Sequence, residues 1–317
     1  MGAYPGRDST RVAVRMNEIG RRIADKLIEI QRTKDFTIAF LPYKRSMWNC
    51  MESVYEELRA SGVRTYCIPI PYYLMKGPKE AERVVCEKDL FEYGHDVSLL
   101  DKIKADFIVI HYPYDHNNIV TGMLSEYHTA ELRKRAKVVY IPYSCTNMRQ
   151  LRIQPGIANI DYAFVNTEAE AEAFVREWLE FGIDFSGRVF GLGSPKMDAI
   201  RKCEHREGTL VINSLAPFLK DAFGRIELYR KVIGEELDAG HRVIFRPHPL
   251  LRQTIRSMRL DTQEAYNRLI EWIVENGAIV DESEYLEKAL SEADYLISDP
   301  SSVLEMWQST GRGYKII

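Results

Sequence analysis

Apolar residues follow two rhythms along this chain. Between residues 12 and 33, Val12, Val14, Met16, Ile19, Ile23, Leu27, Ile28 and Ile30 stand among charges at helical spacing, which predicts an amphipathic entry helix. Short apolar runs then alternate with helical stretches. FTIAFLPY (36–43), RTYCIPIPYY (64–73), DFIVIHYPYD (106–115) and KVVYIPYS (137–144) read as strands, with helices over 46–62 and 123–135. After residue 150 the alternation restarts. DYAFVNT (161–167), RVFGLGSPKMD (188–198), TLVINS (209–214), HRVIFRPHP (241–249), GAIVD (277–281), DYLISDPSS (294–302) and the closing YKII read as strands or strand-to-loop ends. Helical stretches over 168–182, 225–239 and 261–275 lie between them. Strands separated by helices imply βαβ units and parallel sheets. Polar residues with Pro155 and Gly156 interrupt the pattern near 145–160, so the expected domains are 1–155 and 156–317. Two such domains joined by a hinge suggest a ligand held between them, beyond the carboxyl ends of the strands.

Composition narrows the class. With 317 residues the chain has room for two domains at about 100–200 residues each. Its 45% apolar and 28% charged content excludes a fibrous or wholly disordered chain. A net charge of −3 gives no global basic field, so nucleic acid is not an expected partner and any anion site must be local. Cys50, Cys67, Cys86, Cys145 and Cys203 are scattered without a CxxC pair, which points to a reducing compartment. No apolar run approaches the ~20 residues that span a bilayer. Charges fall where a signal peptide needs its apolar stretch. The expectation is a cytoplasmic protein with at most peripheral contact on the inner membrane face. The entry helix, whose charges are mixed rather than basic, is expected to pack on the N-terminal domain.

Candidate chemistry gathers where strands end. In DYLISDPSSVLEMW, Pro300, Ser301 and Ser302 open a helix after Asp299, either as a plain N-cap or as a phosphate cradle. In FRPHPLLRQTIRSMR, prolines fix the backbone around Arg246 and His248. Arginine offers a planar fork for phosphate oxygens, and histidine a hydrogen bond or a proton near neutral pH. Arg252, Arg256 and Arg259 follow, and read as a solvated basic helix face. GLGSPKMD lets Gly193 and Ser194 approach a ligand closely, with Lys196 beside them, or it is a turn between domains; it lacks the third glycine of a dinucleotide fingerprint. Asn213 and Ser214 end another strand. IVIHYPYDHNN places His111, Asp115 and His116 after a buried strand, where a histidine or carboxylate can act as general base; a core histidine beneath the loop is the competing reading. His111 and Asp115, four apart on an extended segment, do not come together as they would on a helix, and no second cluster matches them, so no metal is expected. Lys44, Arg45 and Ser46 at a helix start would suit a phosphate-bearing acceptor or a solvated turn. Tyr72, Tyr73, Tyr112, Tyr114 and Tyr143 line a polyol groove or are half-buried packing.

FLPYKRSMWNCMESVYEEL, YCIPIPYY, FIVIHYPYDHNNIVT, VVYIPY, GLGSPKMD, FRPHPLL and ISDPSS occur here in one order. From about residue 36 onward this series resembles the bacterial CDP-glycerol glycerophosphotransferase family, which includes the teichoic-acid glycerophosphate polymerases. The resemblance implies an α/β chain of two Rossmann-like domains, GT-B in type. The N-terminal domain would lie on the acceptor side and the C-terminal one would hold the nucleotide donor. It implies metal-independent transfer of glycerol phosphate from CDP-glycerol, as substrate rather than cofactor, to a polymer or lipid-linked hydroxyl in cell-surface polymer synthesis, with release of CMP. His248 would contact the donor diphosphate. Arg246, Asp299, Ser301 and Ser302 would bind the donor with it, together with Gly193, Ser194, Lys196, Asn213 and Ser214. YIPYSCTN has no match to the histidine that the polymerases carry after an N-domain strand, so His111 or Asp115 would be the base. Proline replaces the family's aromatic between Asp299 and Ser301. The chain also stops inside what should be the last strands, a C-terminal domain cut short. A GT-B glycosyltransferase, a sugar-nucleotide epimerase, or a non-catalytic truncated relative is the alternative.

Overall fold

The computed structural model describes residues 17–77, 80–115, 121–144, 149–201, 207–248, 251–283, 286–308 and 310–317. They fall into two compact units, one ending at Ala199 and one of Ile200–Ile317.

The first unit carries α1 (Glu18–Gln31), β1 (Thr37–Phe40), α2 (Glu52–Ala60), β2 (Arg64–Cys67), β3 (Tyr72–Gly77), β4 (Glu80–Val85), β5 (Phe107–Ile110), β6 (Thr121–Met123), α3 (Thr129–Arg133), β7 (Lys137–Tyr140), α4 (Arg149–Arg152), β8 (Tyr162–Val165), α5 (Glu168–Glu180) and β9 (Val189–Gly191). Six of its strands form a sheet in the order β2-β1-β5-β7-β8-β9, and every pairing is parallel. A parallel sheet is covered on both faces, so its central strands are apolar throughout rather than alternating. Accordingly all four residues of β1 and of β5 are buried. On one face Ala39, Ile108, Val138 and Ala163 share a core with Ala171, Phe174 and Trp178 of α5. On the other, Phe40 meets Tyr55 of α2 edge-on at 5.7 Å between ring centroids.

The entry helix is α1, and it packs on α2. A Cβ added at Gly20 would lie 2.6 Å from the Ser53 backbone, so only glycine permits this approach. The residue ahead of α1, Asn17, is in the left-handed region (φ 56°) and its side chain makes no cap. The helix is capped instead by a residue far along the chain. Asp198 Oδ1 accepts the Ile19 N–H (3.1 Å) and Oδ2 the Gly20 N–H (2.8 Å), which satisfies two orphan donors and sets a buried anion at the positive helix end.

Two features depart from the sequence reading. First, β8 and β9 belong to the first sheet, so the division falls at Ala199/Ile200 rather than at 155/156. The Pro155–Gly156 break is a 3₁₀ turn (Pro155–Asn159) inside the unit. Second, the 64–73 run is split. β2 stops at Cys67, and β3 joins an antiparallel sheet β4-β3-β6 that the apolar pattern did not signal. β4 is a mostly exposed strand with polar Glu80, Glu82 and Arg83, so it lacks the buried run that marks the others.

The second unit follows α6 (Lys196–Arg201), which carries the boundary. It contains β10 (Thr209–Ile212), α7 (Leu215–Lys220), α8 (Ala222–Asp238), β11 (Val243–Arg246), α9 (Leu251–Met258), α10 (Gln263–Glu275), β12 (Ile279–Val280), α11 (Leu286–Glu292), β13 (Tyr295–Ser298), α12 (Ser302–Gln308) and β14 (Gly313–Ile316). Its sheet is parallel in the order β12-β11-β10-β13-β14. Val211, Val243, Phe245 and Ile297 share a core with Ile226, Tyr229 and Ile233 of α8 and with Tyr266, Leu269 and Ile273 of α10. Among the described residues no helix is long and apolar enough to cross a membrane.

Because two charge-assisted hydrogen bonds hold α1, Asp198→Ala is expected to destabilise the first unit by ~2–3 kcal/mol. Asp198→Asn, which keeps one acceptor, should lose about half as much. Denaturant unfolding midpoints of the two variants check this.

Candidate functional site

Three adjacent strands of the second unit end together. Register pairs Ile212 of β10 with Arg246 of β11 on one side and with Ser298 of β13 on the other. The residues that follow each strand therefore emerge side by side at the carboxyl edge, where open α/β sheets keep their sites. They are joined by hydrogen bonds. Asn213 Oδ1 accepts the His248 N–H at 2.7 Å, fixing the loop after β11 to the end of β10. Asp299, fully buried, accepts the Ser214 N–H at 2.7 Å and so ties the end of β13 to the loop after β10. Ser301 Oγ accepts the Leu304 N–H at 3.2 Å as the cap of α12 and lies 3.4 Å from Ser298 Oγ. Ser302 begins α12, and its side chain lies outside the described residues, as do Pro249 and Leu250.

His248 is half-buried, and loss of hydration pushes its pKa below the ordinary imidazole value. At pH 7 its ring is neutral and carries one N–H donor. Asn213 is 1% exposed. Its Nδ2 is buried with no hydrogen-bond partner among the described residues. An amide whose oxygen must accept a backbone N–H cannot be flipped, so this unpaired atom is a donor.

Arg246 differs from expectation. Its side chain is 6% exposed, and its guanidinium turns away from solvent onto the neighbouring loop. Nη1 is 2.5 Å from Asp281 Oδ2 and 3.2 Å from Ser283 Oγ, and Nη2 donates to Ser283 O at 2.7 Å. Its charge is already matched, so it fastens the loop after β12 rather than offering an open fork. Two residues that the strand-end reading missed supply the other half of the network, both from α8. Arg225 Nη1 donates to Asp299 Oδ1 and Tyr229 Oη to Asp299 Oδ2, each at 2.7 Å. The available signal was their spacing: four apart on a helix, they share a face.

In the first unit the candidates are separately employed. Gly193 has φ 103°, and a Cβ there would come within 3.1 Å of Ile19, so the close approach in GLGSPKMD is to α1 rather than to a ligand. Ser194 is buried and Lys196 opens α6, two residues before the capping Asp198. Asp115, itself in the left-handed region (φ 49°), accepts both the N–H and the Oγ1–H of Thr129 at 2.9 and 3.0 Å and so caps α3. His116 lies outside the described residues. His111 is completely buried, stacked on Tyr43 at 4.8 Å and 10° between ring planes. Its Nε2 faces the Tyr43 N–H at 3.5 Å and its Nδ1 has no partner. Desolvation, with a smaller effect from the Lys196 charge, pushes its pKa down to about 3. This is the core histidine beneath the loop, out of reach as a base. The tyrosines are packed: Tyr114 Oη and Tyr143 Oη lie 2.6 Å apart, and Tyr112 donates to Tyr127 O.

Set beside solved structures, the architecture falls into a known class. A UDP-GlcNAc 2-epimerase from Methanocaldococcus jannaschii matches with a TM-score of 0.55 at 13% identity, over 88% of this chain and 83% of that one. The epimerase from Neisseria meningitidis bound to UDP-GlcNAc gives 0.51 at 12%, over 88% and 82%. The wall teichoic acid polymerase TagF gives 0.50 at 13%, over 94% and 74%. The chain has the α/β fold of GT-B type that these proteins share. No family model and no curated protein matches the sequence.

His111 also sets a pH dependence. Its folded pKa of about 3 lies below the unfolded value near 6.5, so the unfolded chain binds more protons between these limits. Stability contributed by the neutral ring is complete above pH ~6.5 and falls as pH drops toward 3, by up to ~1.4 kcal/mol per pH unit. Urea unfolding from pH 7 to 4.5 should show a shallower decline in His111→Phe than in the wild type.

Proposed function

We propose that the second unit binds the diphosphate of a nucleotide-activated donor, and that the protein is a metal-independent transferase moving glycerol phosphate from CDP-glycerol to an acceptor hydroxyl in cell-surface polymer synthesis. The observation that carries this reading is the hydrogen-bonded junction of three parallel strand ends, in which Asn213, His248 and the Asp299–Ser301 segment are fixed relative to one another. Preset donors are what phosphoryl transfer requires, since catalysis there is mostly positioning and charge stabilisation. In this reaction the acceptor oxygen bonds to the β-phosphorus as its hydroxyl proton passes to solvent. The bond from that phosphorus to the bridging oxygen breaks, and CMP leaves with the bridging oxygen and its electron pair.

Within the second unit, the neutral His248 ring would donate a hydrogen bond to the diphosphate, and Ser301 and Ser302 would line the same edge. Arg246 supports the loop from behind. Gly193 packs against Ile19 of α1, and Ser194 and Lys196 would complete the donor contacts from the segment that leads into the second unit. The glycerophosphate reading is supported by the ordered series of motifs and by the fold shared with TagF. The acceptor would be polymer or lipid-linked, reached in the cytoplasm with at most peripheral membrane contact. A nucleotide-sugar reading is supported by the fold shared with two UDP-GlcNAc 2-epimerases.

A thermal-shift panel separates the two: CDP-glycerol, CDP-ribitol and CMP should raise Tm, and UDP- and GDP-sugars should not. The reverse order favours a nucleotide-sugar enzyme, and no shift from any nucleotide at millimolar concentration removes the donor site altogether. With CDP-glycerol as donor, His248→Ala should lower CMP release at least 100-fold with the fold intact, and chelation with EDTA should leave wild-type turnover unchanged. Near-normal turnover in His248→Ala would discard its assignment.

A further inference from the structure

The cation expected at the donor site is the one that the structure turns away: Arg246 is enclosed and both of its terminal nitrogens are bonded. A nucleoside diphosphate carries two to three negative charges and calls for another. The geometry points to Arg225, in the first turn of α8, as the residue that meets the diphosphate, with Asp299 as the positioning residue that aims it. This rests on the reading of the second unit as a diphosphate site and names the group that supplies its charge.

Three observations converge. First, Arg225 is linked to the strand-end junction without a break. Its Nη1 holds Asp299 Oδ1, Asp299 Oδ2 holds the Ser214 N–H, and the adjacent Asn213 holds the His248 N–H. Second, the guanidinium is partly open. Its side chain is 23% exposed against 0% for Asp299. Among the described residues only Nη1 is bonded, so the Nε–H and Nη2 donors remain for a ligand. Third, the partner carboxylate is shielded. Asp299 is wrapped by the Ser214 N–H, Tyr229 Oη and Arg225, so it orients the cation while presenting little charge of its own. The unpaired Nδ2 of Asn213 adds a buried donor at the same junction. An arginine fixed by one nitrogen has lost much of its side-chain freedom before ligand arrives, and its planar fork suits two phosphate oxygens.

The test uses the full-length chain and calorimetric titration with CDP and with CMP, which differ by one phosphate. In the wild type CDP should bind more tightly than CMP. Arg225→Gln keeps a donor for Asp299 but removes the charge. It should weaken CDP binding at least tenfold and bring the CDP-to-CMP preference to within threefold, while circular dichroism and Tm stay near wild type. Should Arg225→Gln fail to fold, Arg225→Lys decides: it keeps the charge without the fork, and the preference should still fall at least threefold. A folded variant that retains the full CDP preference overturns the assignment of Arg225 and leaves the donor site standing. Wild-type protein that binds no nucleoside diphosphate, whether CDP, UDP or GDP, overturns both.

Discussion

A carboxylate with no access to water must be surrounded by donors, and those around Asp299 organise the second unit. Its two oxygens take a backbone N–H from the loop after β10, a guanidinium and a phenol from α8. The strand that bears it, the neighbouring strand and a helix from the core face are thereby fastened at one point. Desolvating an anion is tolerable only when such partners are present together, so the side chains that satisfy Asp299 are set in place by the same step that folds the sheet edge. The Asn213 amide extends this order to His248. The Oγ cap of Ser301 extends it along β13 into α12.

Much of the architecture could be read from apolar periodicity because parallel strands buried on both faces leave a plain record. TIAF, FIVI, TLVI, VIFR and YLIS are such runs, and each is a strand. The antiparallel sheet escaped because β4 is mostly exposed, and only its last residue, Val85, packs against the core, so no apolar run marks it. The domain boundary escaped for a different reason. A proline and a glycine mark a turn, but a turn inside a sheet crossover and a turn between domains have the same local chemistry. Only the pairing of β8 with β7 tells them apart.

Site residues were legible by type and less so by task. The strand-end cluster at 213–214, 246–248 and 299–301 was visible, since polar residues after buried strands stand out. Arg246 and Arg225 could not be ranked from sequence, because the distinction is which carboxylate each meets: Asp281, 35 residues away, or Asp299, 74 residues away. The neighbours of His111 in sequence suggest reactivity, whereas its environment, an aromatic stack closed to solvent, holds it neutral. Asp115 and Asp198 both cap helices, a task that depends on backbone amides 14 and 178–179 positions away and leaves no local mark in the sequence.

The remote cap on α1 bears on how this protein comes into being. The first described helix finds the acceptor for its leading amides 179 positions downstream, well after every strand of its own sheet. While the ribosome is still extending the chain, that helix has its packing partner α2 but not its anchor. Contacts separated by so much sequence close late, because the intervening loop must first be ordered. A helix synthesised ahead of every strand of its sheet is therefore among the last parts of that unit to be locked, and its leading turn stays unanchored until Asp198 has been added.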